Sequence, residues 1–290
     1  MDDFQELHPA VWQAKLIRQL RFLKPVAGWR RVVQSSLPAD VSGAFRVANE
    51  TGKFAGDLSS YIDRNLYLFG GYEDEKIATF VSLVPPRQRT TILDIGTNVG
   101  THAIAFSRSF AHVHAFEPSR LIWPSLDRNI ALNDARTITI HRYGLGEQDG
   151  VIPFYTSAAN PGMGTAVRDD GLSIRSEIEV RHGDAIVESG KIGPVGAIKI
   201  DVQGFEPDVI RGLGRTIERD RPIVWVELNP HVQSGLSTKA DLERMFGYPV
   251  RIHRFEPVKS FPFSRTVLRP FNETELTTSD FVVVPASPGD

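Results

Sequence analysis

The stretch Ile92-Leu93-Asp94-Ile95-Gly96-Thr97-Asn98-Val99-Gly100-Thr101 constrains the fold more than any other part of the chain. It reads as a short apolar strand, a turn holding two glycines, and the start of a helix. Lacking a Cβ, Gly96 and Gly100 let the backbone approach a ligand closely. The helix that follows offers unpaired N–H groups and the positive end of its dipole. From residue 90 the same alternation recurs. Apolar strands are predicted at Thr91–Ile95, His112–Phe116, Thr137–Arg142, Ala197–Ile200 and Ile223–Leu228, with helices near Thr101–Phe110, Ser119–Asn133 and Glu206–Glu218. Strands apolar on both faces and joined by helices imply a mostly parallel sheet with helices on both faces. Val250–Phe255 and Phe281–Val284 are expected to pair antiparallel at one edge, completing a seven-stranded, Rossmann-like α/β domain.

The strand ends carry acids. Asp94 closes the first strand inside the glycine loop, and Glu117, followed by Pro118, closes the second. Asp201 closes the strand Ile198-Lys199-Ile200, with Glu206 in the first turn of the next helix, and Glu227 and Asn229 lie at the end of the fifth strand. Open α/β sheets bind ligands at the carboxyl ends of their strands, so Asp94, Glu117 and Asp201 are expected in one crevice. An acid about twenty residues beyond a glycine loop suits both hydroxyls of a ribose. Two nucleotide readings compete. A dinucleotide fingerprint wants G-x-G-x-x-G, whereas this loop is G-x-x-x-G and carries a carboxylate that would repel a pyrophosphate. S-adenosylmethionine has no phosphate, and its ammonium can meet a carboxylate, so the loop favours it over NAD.

Outside this pattern, residues 7 to 23 show a helical period, while 35 to 70 break into short β-prone pieces such as Ala44–Val47 and Leu66–Phe69. Glu73 to Val84 reads as a helix stopped by Pro85-Pro86. Val151–Tyr155 and Glu177–Arg181, flanking Pro161-Gly162-Met163-Gly164, suggest an inserted hairpin or lid over the substrate, with an ordinary loop the alternative. An N-terminal α+β extension over 1–72 and a Rossmann-like domain over 73–290 are expected. Trp123 and Trp225 are expected to pack in the core.

Composition narrows the partners. Lys plus Arg is 33 and Asp plus Glu is 35, a net charge of −2, which argues against nucleic acid as the main ligand. The basic residues Lys15, Arg18, Arg21, Lys24, Arg30 and Arg31 read as a solvated helix face. No cysteine is present, so disulfides and thiolate metal sites are excluded. No signal peptide is expected, since the start has no basic region followed by an apolar core, and no run approaches the ~18 apolar residues of a membrane span. A cytoplasmic location is expected.

Taken together, Leu93–Gly100, Phe116-Glu117-Pro118 and Ile198–Glu206 resemble the FkbM-type family of class I methyltransferases. The resemblance extends upstream through Tyr61-Ile62-Asp63-Arg64 and Gly71-Tyr72-Glu73 and covers roughly residues 60 to 230. It implies S-adenosylmethionine-dependent O-methylation of hydroxyls on sugars, polyketides and related metabolites, leaving S-adenosylhomocysteine. It also implies that Gly96, Asn98 and Gly100 hold the methionine portion, Glu117 the ribose, and that Tyr72 and Glu73 lie close by. Asp94, Thr97, Pro118, Gly144 and Asp201 complete the expected cofactor set. Gln203 stands where the family usually has an acid, and Gly183-Asp184-Ala185-Ile186 where it more often has a Leu-Asp-Asp-Leu-like piece.

Methyl transfer to a hydroxyl needs alignment, exclusion of water and a proton acceptor. Candidates are Asp201, Glu206, Glu227, His182 and His231, and the catalytic set expected is Asp201, Glu227 and His231. Cofactor binding alone would also account for Asp201. A divalent metal on Asp201, Glu227 and Asn229 is a further route, though no dedicated metal spacing exists. The expected partner is a small-molecule or glycan-type hydroxyl acceptor, with a homo-oligomer left open. An NAD-dependent oxidoreductase and a non-catalytic cofactor-binding scaffold are the competing readings.

Overall fold

The computed structural model describes residues 4–24, 26, 28–38, 40–157, 160–166, 174–228 and 236–286. Its N-terminal part contains α1 (Trp12–Gln19), α2 (Trp29–Ser36), the antiparallel pair β1 (Ala44–Asn49) and β2 (Gly52–Asp57), and α3 (Tyr61–Phe69). Leu66–Phe69, expected as a strand, is the end of α3. An apolar run this short does not distinguish strand from buried helix. Here Ser60 caps the start by accepting the Asp63 N–H, and Gly70 ends the helix in the left-handed conformation. The helical period of residues 7–23 holds only over α1, since Leu7 instead pairs with Arg46 beside β1.

The chain then runs through α4 (Asp74–Leu83), β3 (Thr91–Ile95), α5 (Thr101–Phe106), β4 (His112–Phe116), α6 (Trp123–Leu132) and β5 (Ile138–His141). Next come β6 (Gly144–Gly146), β7 (Gly150–Ser157), β8 (Asn160–Thr165), β9 (Ile174–His182) and the single turn α7 (Gly183–Ile186). The last third holds β10 (Val195–Ile200), α8 (Glu206–Gly212), α9 (Gly214–Asp220), β11 (Ile223–Leu228), α10 (Lys239–Phe246), β12 (Val250–Ser260), β13 (Phe263–Pro270) and β14 (Ser279–Pro285). The helix expected over Glu206–Glu218 is two helices meeting at Leu213.

The main sheet has the order β13-β12-β14-β11-β10-β3-β4-β5, with β11, β10, β3, β4 and β5 parallel and the other three joined antiparallel. It is eight-stranded rather than seven-stranded. β12 runs on to Ser260 and turns back through β13, an edge strand whose weak alternation hides it in the sequence. β3 and β10 are buried along their whole length because helices cover both faces. On one face Ile92, Ala197 and Trp225 pack under Phe80 of α4 and Phe106 of α5. On the other, Leu93, Ile198 and Val224 pack under Val209, Ile217 and Phe246 of α8, α9 and α10. That alternation is the strand's two-residue period.

The insert between β5 and β10 is a second sheet, ordered β6-β9-β7-β8, rather than a lone hairpin. The glycine-bearing break lies in β8. The N-terminal part is fastened to the main domain by two amides of the α6 segment. Asn129 accepts the Ala55 N–H (3.0 Å) and donates to the Val99 carbonyl, while Asn133 accepts the Lys53 N–H and donates to its carbonyl (2.9 and 2.7 Å). They serve β2 in place of another strand. Among the described residues, no helix is long and apolar enough to cross a membrane.

Candidate functional site

A cleft of ≈ 240 Å³ opens where β3, β4, β10 and β11 end. Its polar wall is Gly96, Asn98, Glu117, Asp201, Gln203 and Glu227, and its apolar wall includes Phe154, Ile178 and Val180 of the insert with Leu145 and Phe205. Tyr61 and Tyr72 close a third side. The polar wall follows from parallel pairing. β3 lies between β4 and β10, and β10 lies beside β11, so neighbouring carboxyl ends finish together.

The glycine loop is bent by three left-handed residues, Gly96 (φ 81°), Asn98 (φ 53°) and Gly100 (φ 87°). At Gly96 the conformation and the spacing both require glycine, since a Cβ there would lie 1.9 Å from the Asp201 carbonyl oxygen. Glu117 braces the loop from β4. Its Oε2 accepts the Asn98 N–H and its Oε1 the Ser119 N–H, both at 2.9 Å. Burial pushes its carboxyl up to about 7, with the Ser119 and Asn98 N–H groups opposing and the Asp94 and Asp201 charges adding to the rise. Each carboxyl oxygen keeps a further lone pair. Glu117 is therefore a buried acceptor at the cleft wall with capacity for two donors, such as a vicinal diol.

Beneath the cleft sits Lys199, 2% exposed. Its neighbours in register are Asp94 on β3 and Trp225 on β11. Its Nζ donates to Asp201 Oδ2 (3.2 Å) and lies 3.9 Å from Asp94 Oδ1. The adjacent carboxylates raise the Lys199 ammonium above its ordinary value despite burial. Gln203 Nε2 donates to Asp201 Oδ1 (2.9 Å) and Glu227 Oε2 (3.0 Å), so a neutral amide clamps the two acids. Against burial, the Lys199 charge and the bonds from Glu227 and Gln203 hold Asp201 well below the carboxylate range. Burial and the Asp201 charge drive Glu227 the opposite way. Joined through one amide and lying beside one ammonium, the two acids titrate as a pair.

The cleft brings together Tyr72, Gly96, Asn98, Glu117, Pro118, Gly144, Asp201 and Glu227 of the expected site residues. Others lie behind it. Asp94 is fully buried and accepts the Thr97 hydroxyl (2.6 Å), so both support the loop from below instead of facing the crevice. Gly100 begins α5 in the left-handed conformation, and a Cβ there would lie 2.9 Å from Leu126 Cδ1. Glu73 turns away to His102 Nε2 (3.1 Å) and to the Lys76 ammonium. Burial opposes its charge, but these two partners hold its carboxyl down to about 2.

Glu206 curls back on its own loop, accepting the Val202 and Gly204 N–H groups (3.0 and 2.9 Å). His182 caps α7, accepting the Ala185 N–H (3.2 Å). Neither lines the cleft. Asp184 is likewise structural, taking the N–H groups of Arg215 and Thr216, both at 2.9 Å. His231 and Asn229 lie outside the described residues. Among the described residues no cluster of three acids or histidines is arranged to hold a metal. Sequence reasoning missed Lys199 as counter-charge; a lysine inside an otherwise apolar strand was the available signal, since buried charges need partners.

The Methyltransferase FkbM domain matches residues 94–273. The hexuronic acid methyltransferase AglP of Haloferax volcanii is 33% identical over 148 residues, 50% of this chain and 59% of that protein. Methyltransferase 1 of Beauveria bassiana is 25% identical over 143 residues, 42% of this chain and 57% of that one. The chain thus spans less than two thirds of these relatives' length. Among solved structures, methyltransferase FkbM from Methylobacillus flagellatus KT overlays with a TM-score of 0.40 at 16% identity, over 76% of this chain and 52% of that chain. An overlay this loose carries no argument. The family match spans more than half of the sequence and includes the glycine loop, Glu117 and the Asp201–Glu227 pair, and on that basis the chain belongs to the FkbM methyltransferase domain family.

Proposed function

We propose that this chain is an S-adenosylmethionine-dependent methyltransferase acting on a hydroxyl of a sugar-type acceptor. The observation that carries the reading is Glu117, a buried carboxyl whose free lone pairs face a cleft shared with Asp201 and Glu227. An Asp201 held in its charged form, with two raised carboxyls beside it on the same wall, suits a cationic, hydroxyl-rich nucleoside better than a pyrophosphate, which disfavours NAD. Bound there, S-adenosylmethionine would supply a methyl group already activated by its sulfonium. The Glu117 carboxyl would accept the ribose hydroxyls. The Gly96–Gly100 loop would hold the amino-acid end, and Phe154, Ile178, Val180 and Leu145 would cover the apolar base.

Asp201 is the proton acceptor in this reading. A hydroxyl proton becomes strongly acidic as the oxygen forms its new bond to carbon, so a carboxylate held below neutrality suffices. Glu227 and Gln203 keep Asp201 oriented, and Lys199 keeps it ionised. The sugar-type acceptor draws support from the relative named for hexuronic acid. Calorimetric titration with S-adenosylhomocysteine and with NADH tests the donor assignment: micromolar binding of the first and none of the second is expected, and the reverse order would overturn it.

A further inference from the structure

Beside the donor cleft lies a broader one of ≈ 860 Å³, and Tyr61 and Tyr72 line both. Their rings meet edge to face, centroids 6.3 Å apart, forming a shared partition. The wider cleft is assembled from distant parts of the chain. Arg21 and Lys24 come from the turn after α1, Arg30 from α2 and Arg265 from β13. A bridge between Val26 and Phe263 brings the N-terminal segment against the β12–β13 turn.

The charges in this cleft do not cancel evenly. Asp74 is paired with Lys24 (2.8 Å), and Glu73 with Lys76 and His102. Among the described residues, Arg30 is held by neutral partners only. It donates to Asn65 Oδ1 (2.9 Å) and lies over the Phe69 ring, 4.6 Å from its centroid. Among the described residues, Arg21, Arg30 and Arg265 form no ion pair. Against these three guanidinium groups stand Glu50 and Glu75, and Glu75 is turned to the Thr266 N–H (2.6 Å). A planar guanidinium without an acid partner is a two-pronged donor for a carboxylate or phosphate.

We propose that this second cleft is the acceptor site and that it selects acceptors bearing an oxyanion, through Arg21, Arg30 and Arg265. The assignment rests on the reading that the first cleft takes the methyl donor. It places the acceptor's neutral hydroxyl end at the Tyr61–Tyr72 partition and its anionic group at the rim away from Asp201. The separation has a physical reason, since an anion beside the acids of the donor cleft would be repelled.

The test is saturation-transfer NMR on the full chain with three probes: glucuronic acid, glucose 6-phosphate and glucose. One or both anions are expected to bind at least tenfold more tightly than glucose, and the tighter of the two identifies the oxyanion. Arg21→Gln/Arg265→Gln should remove that preference while leaving S-adenosylhomocysteine affinity, read by calorimetry, unchanged. Raising the salt from 50 to 500 mM should erase the preference in the unaltered protein too, which keeps the test decisive if the variant folds poorly. No anion preference, or one that survives both the double substitution and the salt, overturns the proposal. Loss of S-adenosylhomocysteine binding alone would count against the donor assignment and leave the oxyanion site standing.

Discussion

Replacing Glu117 with Gln should weaken the donor site and yet flatten the protein's loss of stability at alkaline pH. The carboxyl is 6% exposed, and its value rises from the ordinary 4.5 to about 7 in the fold. A carboxyl raised on folding holds its proton more tightly folded than unfolded. The stability it adds is therefore complete below about 4.5 and is lost as pH climbs through about 7. Integrating the two titrations between pH 5 and pH 8 gives a loss of roughly 2–3 kcal/mol from this one group. Glutamine cannot ionise, so that loss should vanish. Its amide also meets one of the two backbone N–H groups with a donor, a roughly 1–3 kcal/mol penalty present at every pH. The pH slope separates the two effects where a single measurement cannot. Reversible urea unfolding at pH 5, 6, 7 and 8 supplies it. Glu206, raised to about 7 in the same direction, contributes equally to both proteins and cancels. The variant should fall roughly 2–3 kcal/mol less than the parent across this range and bind S-adenosylhomocysteine at least tenfold more weakly. Parallel slopes would refute the buried, proton-holding Glu117, and unchanged affinity would remove its ribose role.

Three further outcomes follow from the same geometry. Lys199→Met strips the cation from between Asp94 and Asp201 and should destabilise the fold by about 3–5 kcal/mol in chemical denaturation; a change below ~1 kcal/mol would show that the two acids do not depend on it. Gly96→Ala forces a Cβ against the Asp201 carbonyl at a left-handed residue, so S-adenosylhomocysteine binding should fall at least tenfold by calorimetry, and full binding would mean the loop is free to move. Asp201→Asn keeps the shape but removes the proton acceptor: turnover should drop by about 10²–10⁴-fold while S-adenosylhomocysteine affinity stays within about threefold, and retained turnover would assign the base elsewhere.

Much of the architecture could be read locally. A glycine loop between an apolar strand and a helix start, and acids at residues 94, 117, 201 and 227, are short-range patterns, and β3, β4 and β11 begin and end where those patterns predict. The helix of residues 61–69 was not legible, because its decisive signals are single capping residues at 60 and 70 and its apolar run fits either element. Nor was the eighth strand, whose edge position removes the need for a buried face.

That several apolar strands each end in an acid belongs to the sequence, because it depends only on period and composition along the chain. Which acid meets ligand and which meets lysine was decided by tertiary structure. Strand register sets Lys199 beside Asp94 and turns both inward, while Glu117, one strand over, closes the cleft. The arginines of residues 21 and 265 likewise line one cleft only because the fold brings together positions 244 residues apart (265 − 21), and no pattern within either segment carries that information.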